Sequence, residues 1–182
     1  MNLVFSRILW VLIFTLGFNF SVPGATFLKN FNELAYSYQE VTGISYINPD
    51  IKNFWSVNKT KLLKTGNITE FDSASLHTMY GLASFFCRER INADSKISND
   101  KRLIHKSIPL EKKFKTWIDS EVNFLLSTYS QHFWLRELSA DEQVFFKKLT
   151  KQLNSHAEFE DTAKTLMAIC STFLTAPEFL LN

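Results

Sequence analysis

The sequence predicts an all-α fold, a single bundle-like domain of about five to six helices behind an N-terminal signal segment. Three observations carry this. Apolar residues recur at three- and four-residue spacing in segment after segment, the period of a helix with one buried face. Only 5 Gly and 4 Pro occur in 182 residues, too few for a turn-rich sandwich or barrel. No segment shows the sustained apolar–polar alternation of a half-buried strand, and no internal repeat is found.

The first 25 residues, MNLVFSRILWVLIFTLGFNFSVPGA, have one charge at Arg7, an apolar run from Ile8 to Phe18, and then Pro23, Gly24 and Ala25. At 1.5 Å per residue the run spans roughly 16 Å, well short of the ~30 Å hydrocarbon core. A charged start, short apolar middle and small residues at the end describe a secretory signal peptide, residues 1–25, with cleavage after Gly24 or Ala25. The alternative is an uncleaved membrane anchor. The helical domain then occupies residues 26–182.

The helices fall in order along this domain. In TFLKNFNELAYSYQEVTG, Phe27, Phe31, Leu34, Ala35, Tyr38 and Val41 share one stripe. Thr26 is placed to cap its start and Gly43 to supply the left-handed residue past its end. Asn48 caps the second helix, with Pro49 in its first turn and Asp50 at the positive end of the dipole. Ile51, Phe54, Trp55 and Leu62 face inward, and KTGN breaks the pattern. The third helix, SASLHTMYGLASFFCRERI, buries Leu76, Met79, Tyr80, Ala83, Phe86 and Cys87, and Arg88–Arg90 close it. Its additional apolar residues Leu82 and Phe85 suit a helix central to a bundle. The polar stretch NADSKISNDKRLIHKS reads as the longest loop.

A fourth helix is expected from near Pro109 to Gln131, with Phe114, Trp117, Ile118, Val122, Leu125 and Tyr129 inward. Ser139 and Glu142 form a capping box for a fifth. The last, from about Glu158 to Thr175, places Ala163, Leu166, Met167, Cys170, Phe173 and Leu174 on one side.

Composition bounds the function. With 46% hydrophobic and 21% charged residues the chain is globular rather than disordered. A net charge of +2 supplies no electrostatic reason for nucleic acid or an anionic membrane, so neither is expected as a partner beyond the leader itself. The 18 Phe are read as core filler rather than as an aromatic binding surface.

Cys87 and Cys170 are the only thiols, and both fall on inward helix faces. In an oxidising compartment a sole pair is most simply a structural disulfide; the alternative is two separate buried thiols. The four histidines are His77, His105, His132 and His156, and none sits in H-E-x-x-H. No zinc or calcium spacing, C-x-x-C-H, G-x-S-x-G, P-loop or G-x-G-x-x-G occurs, so no catalytic, metal or cofactor residue is assigned and no cofactor is expected. Glu158, Glu160 and Asp161 cluster at a helix start, where the dipole accounts for them. EKKFKTW reads as an amphipathic face with solvated lysines over buried Phe114 and Trp117. Asn58 and Asn67 fit glycosylation triplets at about chance frequency.

FNELAYSYQEVTGIS, IKNFW and GLASFFC together resemble exported, functionally uncharacterised helical proteins of predatory and gliding Gram-negative bacteria. The segment from LRELSADEQVFFKKL through LMAICSTFLTAPEFLLN is similar to the helical domain of planctomycete-type exported proteins often fused to c-type cytochrome modules. Arg136, Leu138, Glu142, Pro177, Glu178, Phe179 and Leu180 match that pattern. The resemblance implies export and a helical fold and brings no catalytic residues; the haem module is missing, which argues against electron transfer.

The expected function is therefore a non-catalytic exported module, a protein-interaction or structural subunit whose partner is another protein of the cell envelope. The alternatives are an enzyme or redox accessory with a site around His77 and Tyr80 or His132 and Trp134, and a single-pass subunit of a membrane complex.

Overall fold

A computed structural model describes residues 29, 31–58, 73–156, 159 and 161–180. The leader, Thr26, Phe27, Leu62, Asn67, Glu158 and Glu160 lie outside these residues. The fold is all-α, with seven helices among the described residues: α1 (Phe31–Thr42), α2 (Pro49–Asn58), α3 (Ser73–Ser95), α4 (Asp119–Tyr129), α5 (Ala140–Ser155), α6 (Thr162–Leu174) and α7 (Pro177–Leu180). Among the described residues there is no strand, and no helix is long and apolar enough to cross a membrane.

Local chemistry sets the ends of these helices. Asn48 caps α2 by accepting from the Asp50 amide at 2.9 Å. The Ser139–Glu142 capping box closes α5, with the Ser139 amide donating to Glu142 Oε2 at 2.7 Å. Gly43 ends α1 at φ 65°, its amide donating to Gln39 O at 2.7 Å. A Cβ at Gly43 would also stand 3.0 Å from Leu103 Cδ2, so both backbone and space favour glycine.

The core is built on α3 and α6, which pack along each other. Met79, Leu82, Ala83, Phe86, Cys87 and Ile91 of α3 are buried. Cys87 and Cys170 meet here as a disulfide, with Cα atoms 6.0 Å apart, and the Ser84 and Ser171 hydroxyls lie 3.1 Å apart beside it. The most enclosed helix is α6 rather than α3: from Thr165 to Leu174 every residue but Met167 is buried. Its C-terminal carbonyls would be orphaned in an apolar setting. Trp134 Nε1 donates to Phe173 O at 3.0 Å and the Tyr38 hydroxyl to Leu174 O at 3.2 Å. Phe173 stacks on Phe146 at 4.2 Å and touches Trp134 at 4.7 Å, each such pair contributing about 0.5–1.5 kcal/mol beyond burial.

Three expectations are corrected. The fourth helix does not begin near Pro109: residues 109–118 form a loop with a 3₁₀ turn at Phe114–Thr116, and α4 starts at Asp119. The cause is tertiary bonding. The Phe114 amide donates to Thr162 Oγ1, Trp117 Nε1 donates to Lys112 O, and Glu121 accepts from both the Ile118 amide and Lys112 Nζ. Phe114 and Trp117 are buried as expected, but Ile118 is 62% exposed. Second, α3 runs one turn past the charged Arg88–Arg90 segment to Ser95, because Asp94 is held there by the next loop. Third, α6 starts at Thr162, with Asp161 accepting from the Ala163 amide at 2.9 Å, and a separate turn, α7, comes after it. Past α4 the chain widens into a π-helical turn, Ser130–Trp134, and leaves it through Leu135 at φ 56°.

Candidate functional site

Two neighbouring features gather chemical groups: a buried hub at the end of α3, and an open cleft between α3 and the α1–α2 loop. Both involve the α3–α4 connection, residues 96–118.

The hub is centred on Asp94. A carboxylate in the last turn of a helix opposes the macrodipole, and Asp94 is fully buried, so it needs compensation. It accepts five bonds: from Arg90 Nη2 at 2.6 Å, His105 Nδ1 at 2.7 Å, and the Leu103, Ile104 and His105 amides at 3.1, 3.3 and 3.3 Å. Burial pushes its pKa up, but the hydrogen bonds from His105 and Leu103 and the charge of Arg90 outweigh it and hold the carboxyl well below the usual range. Burial pushes His105 below its ordinary 6.5, against the pull of Asp94 and with the help of Arg90 and Arg102. An ionised Asp94 only accepts, so neutral His105 donates from Nδ1, and its Nε2 accepts from the Tyr129 hydroxyl at 2.8 Å. Burial drives the Tyr129 phenol far above its usual pKa, so it stays a donor.

Arg102 completes the hub by donating to Asp94 O at 3.0 Å and Ile108 O at 2.9 Å. Arg90 Nη1 reaches Thr42 O at the end of α1. The Asp94–His105–Tyr129 order resembles a proton relay, yet His105 is 1% exposed and Tyr129 is fully buried. The chemistry available to this hub is anchoring: it folds the loop back and fastens it to α1, α3 and α4.

The cleft is lined by Gly43, Ile44, Ser45 and Asn48 on one side and Glu89, Asn92, Ala93 and Lys96 on the other, with a volume of 370 Å³ open to solvent. Tyr46 and Ile47 continue the lining loop, Ile97 adjoins Lys96, and Leu103 approaches Gly43; all four are exposed. Glu89 is engaged by Arg88 Nε at 2.9 Å, and Arg88 also pairs with Asp50 of α2 at 2.9 Å.

The candidates named from the sequence do not gather at one place. His77 is exposed on α3, one turn before Tyr80, whose hydroxyl is buried without a hydrogen bond and whose pKa is raised by burial. His132 Nε2 bonds Val41 O at 2.6 Å, fixing the π turn to α1, while Trp134 caps α6. Arg136, Glu142 and Glu178 of the resemblance motif converge: Arg136 binds both oxygens of Glu142 at 2.8 and 2.6 Å, approaches Glu178 at 3.6 Å and lies over the Trp134 ring. This network ties α7 to the start of α5. Sequence reasoning missed the hub and the cleft; the one available signal for the hub was a histidine and an acid within a basic tract. Among the described residues no group of three His, Cys, Asp or Glu is placed to hold a metal ion.

Comparison with protein-family models, curated proteins and solved structures gives no match for this chain.

Proposed function

We propose that the protein is a non-catalytic, exported helical module that docks another protein of the cell envelope in the cleft between α3 and the α1–α2 loop. One observation carries this reading: an open cleft whose lining loop runs on through exposed Tyr46 and Ile47, with exposed Leu103 close to Gly43 and exposed Ile97 next to Lys96 in sequence, beside the hydrogen-bonded Asp94 hub. Exposed apolar side chains around a cavity are what interaction surfaces present, whereas scattered single ones need no explanation. The carboxylate of the lining, Glu89, is paired with Arg88, and the Asp94–His105 pair beneath is buried, which favours binding over proton chemistry. Export rests on the leader.

The test is site-specific photo-crosslinking in the native cell, with a photoreactive phenylalanine at Tyr46 and, as control, at the exposed Val144 of α5. A discrete adduct from position 46 and none from position 144 supports docking. No adduct from position 46, with the protein folded and abundant, refutes it. Intact mass of the same preparation reports whether the leader has been removed.

A further inference from the structure

The net charge of +2 conceals a separation of charge. The α3–α4 connection, residues 96–118, holds seven basic and two acidic residues, a local charge of +5, so the rest of the chain carries −3. Arg102 is engaged within the hub, and Lys112 with Glu121 at 2.7 Å. Lys96, Lys101, Lys106 and Lys113 are exposed. Lys96 lines the cleft, and Lys101 and Lys106 flank exposed Leu103 in sequence. The acids of the segment are Asp100 and Glu111, the latter 3.8 Å from Arg102, while Glu89 inside the cleft is already paired with Arg88. A ligand entering the cleft therefore meets Lys96 in its lining, next to a connection that carries further exposed lysines and exposed Leu103.

We infer that the cleft takes an acidic polypeptide segment carrying apolar side chains, attracted by the lysines of the α3–α4 connection. This rests on the docking reading and names the chemistry of the partner. The positive border steers an acidic segment to the surface and disfavours a basic one. The concavity receives a projecting side chain, which a peptide offers and a planar array of lipid headgroups does not. The hub's bonds to the Leu103, Ile104 and His105 amides hold the lysine-bearing loop before binding, so little ordering cost falls on association.

The experiment measures fluorescence anisotropy of labelled dodecapeptides, one of Glu-Glu-Leu repeats and one of Lys-Lys-Leu repeats, with phosphatidylglycerol vesicles in parallel. The full chain is expected to bind the acidic peptide at least about tenfold more tightly than the basic one. That preference shrinks as salt shortens the Debye length from about 10 Å at 0.1 M to about 3 Å at 1 M. Combined Lys96→Glu, Lys101→Glu and Lys106→Glu changes, all at exposed positions, remove or reverse it with unchanged thermal unfolding. Ile47→Ser weakens binding without altering the preference. Equal affinity for the two peptides, a preference that survives the triple charge reversal, or binding to the vesicles without peptide preference overturns the inference. Adducts from Tyr46 together with absent acid preference leave docking standing and remove only the acidic partner; absent adducts remove both.

Discussion

Replacing Asp94 by Asn preserves shape and removes one charge, and the five bonds the carboxylate accepts set the cost. Asp94 Oδ1 accepts from Arg90 and the Leu103 amide; Oδ2 accepts from His105 Nδ1 and from the Ile104 and His105 amides. Whichever way the new amide turns, its NH₂ faces donors. In the Oδ2 position His105 can change tautomer and accept, but two backbone amides lose their partner. In the Oδ1 position the part-buried Arg90 guanidinium and the Leu103 amide do. Each buried unsatisfied group costs about 1–3 kcal/mol, and breaking a buried ion pair from one side about 3–5. Asp94→Asn is therefore expected to lose about 3–5 kcal/mol, read as a lower urea midpoint with unchanged m-value. Asp50→Asn, which opens the exposed pair with Arg88, serves as control at no more than about 1 kcal/mol. Amide hydrogen exchange should show the connection from Lys96 to Ile118 losing protection first. A loss below about 1 kcal/mol in Asp94→Asn, or protection unchanged across that connection, would show that the carboxylate does not organise the loop.

The remaining expectations concern other parts of the molecule. Replacing Cys87 and Cys170 together by Ala frees a stretch with a sequence separation of 83, which the chain-entropy model values at roughly 4.5 kcal/mol; equal urea midpoints with and without reductant would contradict it. Gly81→Ala places a Cβ 2.7 Å from Phe54 Cζ, where overpacking of about 1–3 kcal/mol outweighs the helix preference of about 1 for Ala; a raised Tm would mean that the α2 ring is not seated on α3. Leu135→Gly relieves a left-handed backbone at φ 56° on an 85%-exposed residue and should stabilise by about 1 kcal/mol, measured by thermal unfolding; destabilisation would show that Leu135 makes contacts of its own. His105 has its pKa lowered on folding, so its contribution is complete above 6.5 and is lost as pH falls below that value toward the folded pKa. Stability should thus fall with acid from 6.5 downward, and less steeply in His105→Gln; equal slopes in the two proteins would refute the assignment.

Much of the helical frame was legible because its signals are local. Asn48 before Pro49, Gly43 after Thr42, and Ser139 ahead of Glu142 each satisfy backbone groups within a few residues, so spacing alone identifies them. The inward faces of Cys87 and Cys170 came from helical period in the same way. The failures share the opposite property. Phe114 and Trp117 have helical spacing, yet a 3₁₀ turn buries both once Thr162 supplies the bond that a helix would have made internally. Asp94 lies in a polar tract that reads as loop, and the donors that keep it helical come from nine to eleven residues downstream. The π turn depends on His132 reaching Val41, 91 positions away, and the cleft on two segments that meet only in the folded chain. None of these pairings leaves a periodic trace.

The burial of α6 bears on the order in which the chain can mature. Its neighbours in sequence emerge late, while its neighbours in space include Tyr38, whose hydroxyl waits for Leu174, 136 positions further on; Lys29 likewise bonds Phe179 of α7 at a separation of 150. During vectorial synthesis the early helices have only the α3 half of that core to pack on, so part of their apolar surface stays exposed until the stretch up to Leu180 is delivered. Premature termination before α6 therefore yields a product that lacks half of its core and exposes the apolar face of α3, the kind of surface that drives aggregation.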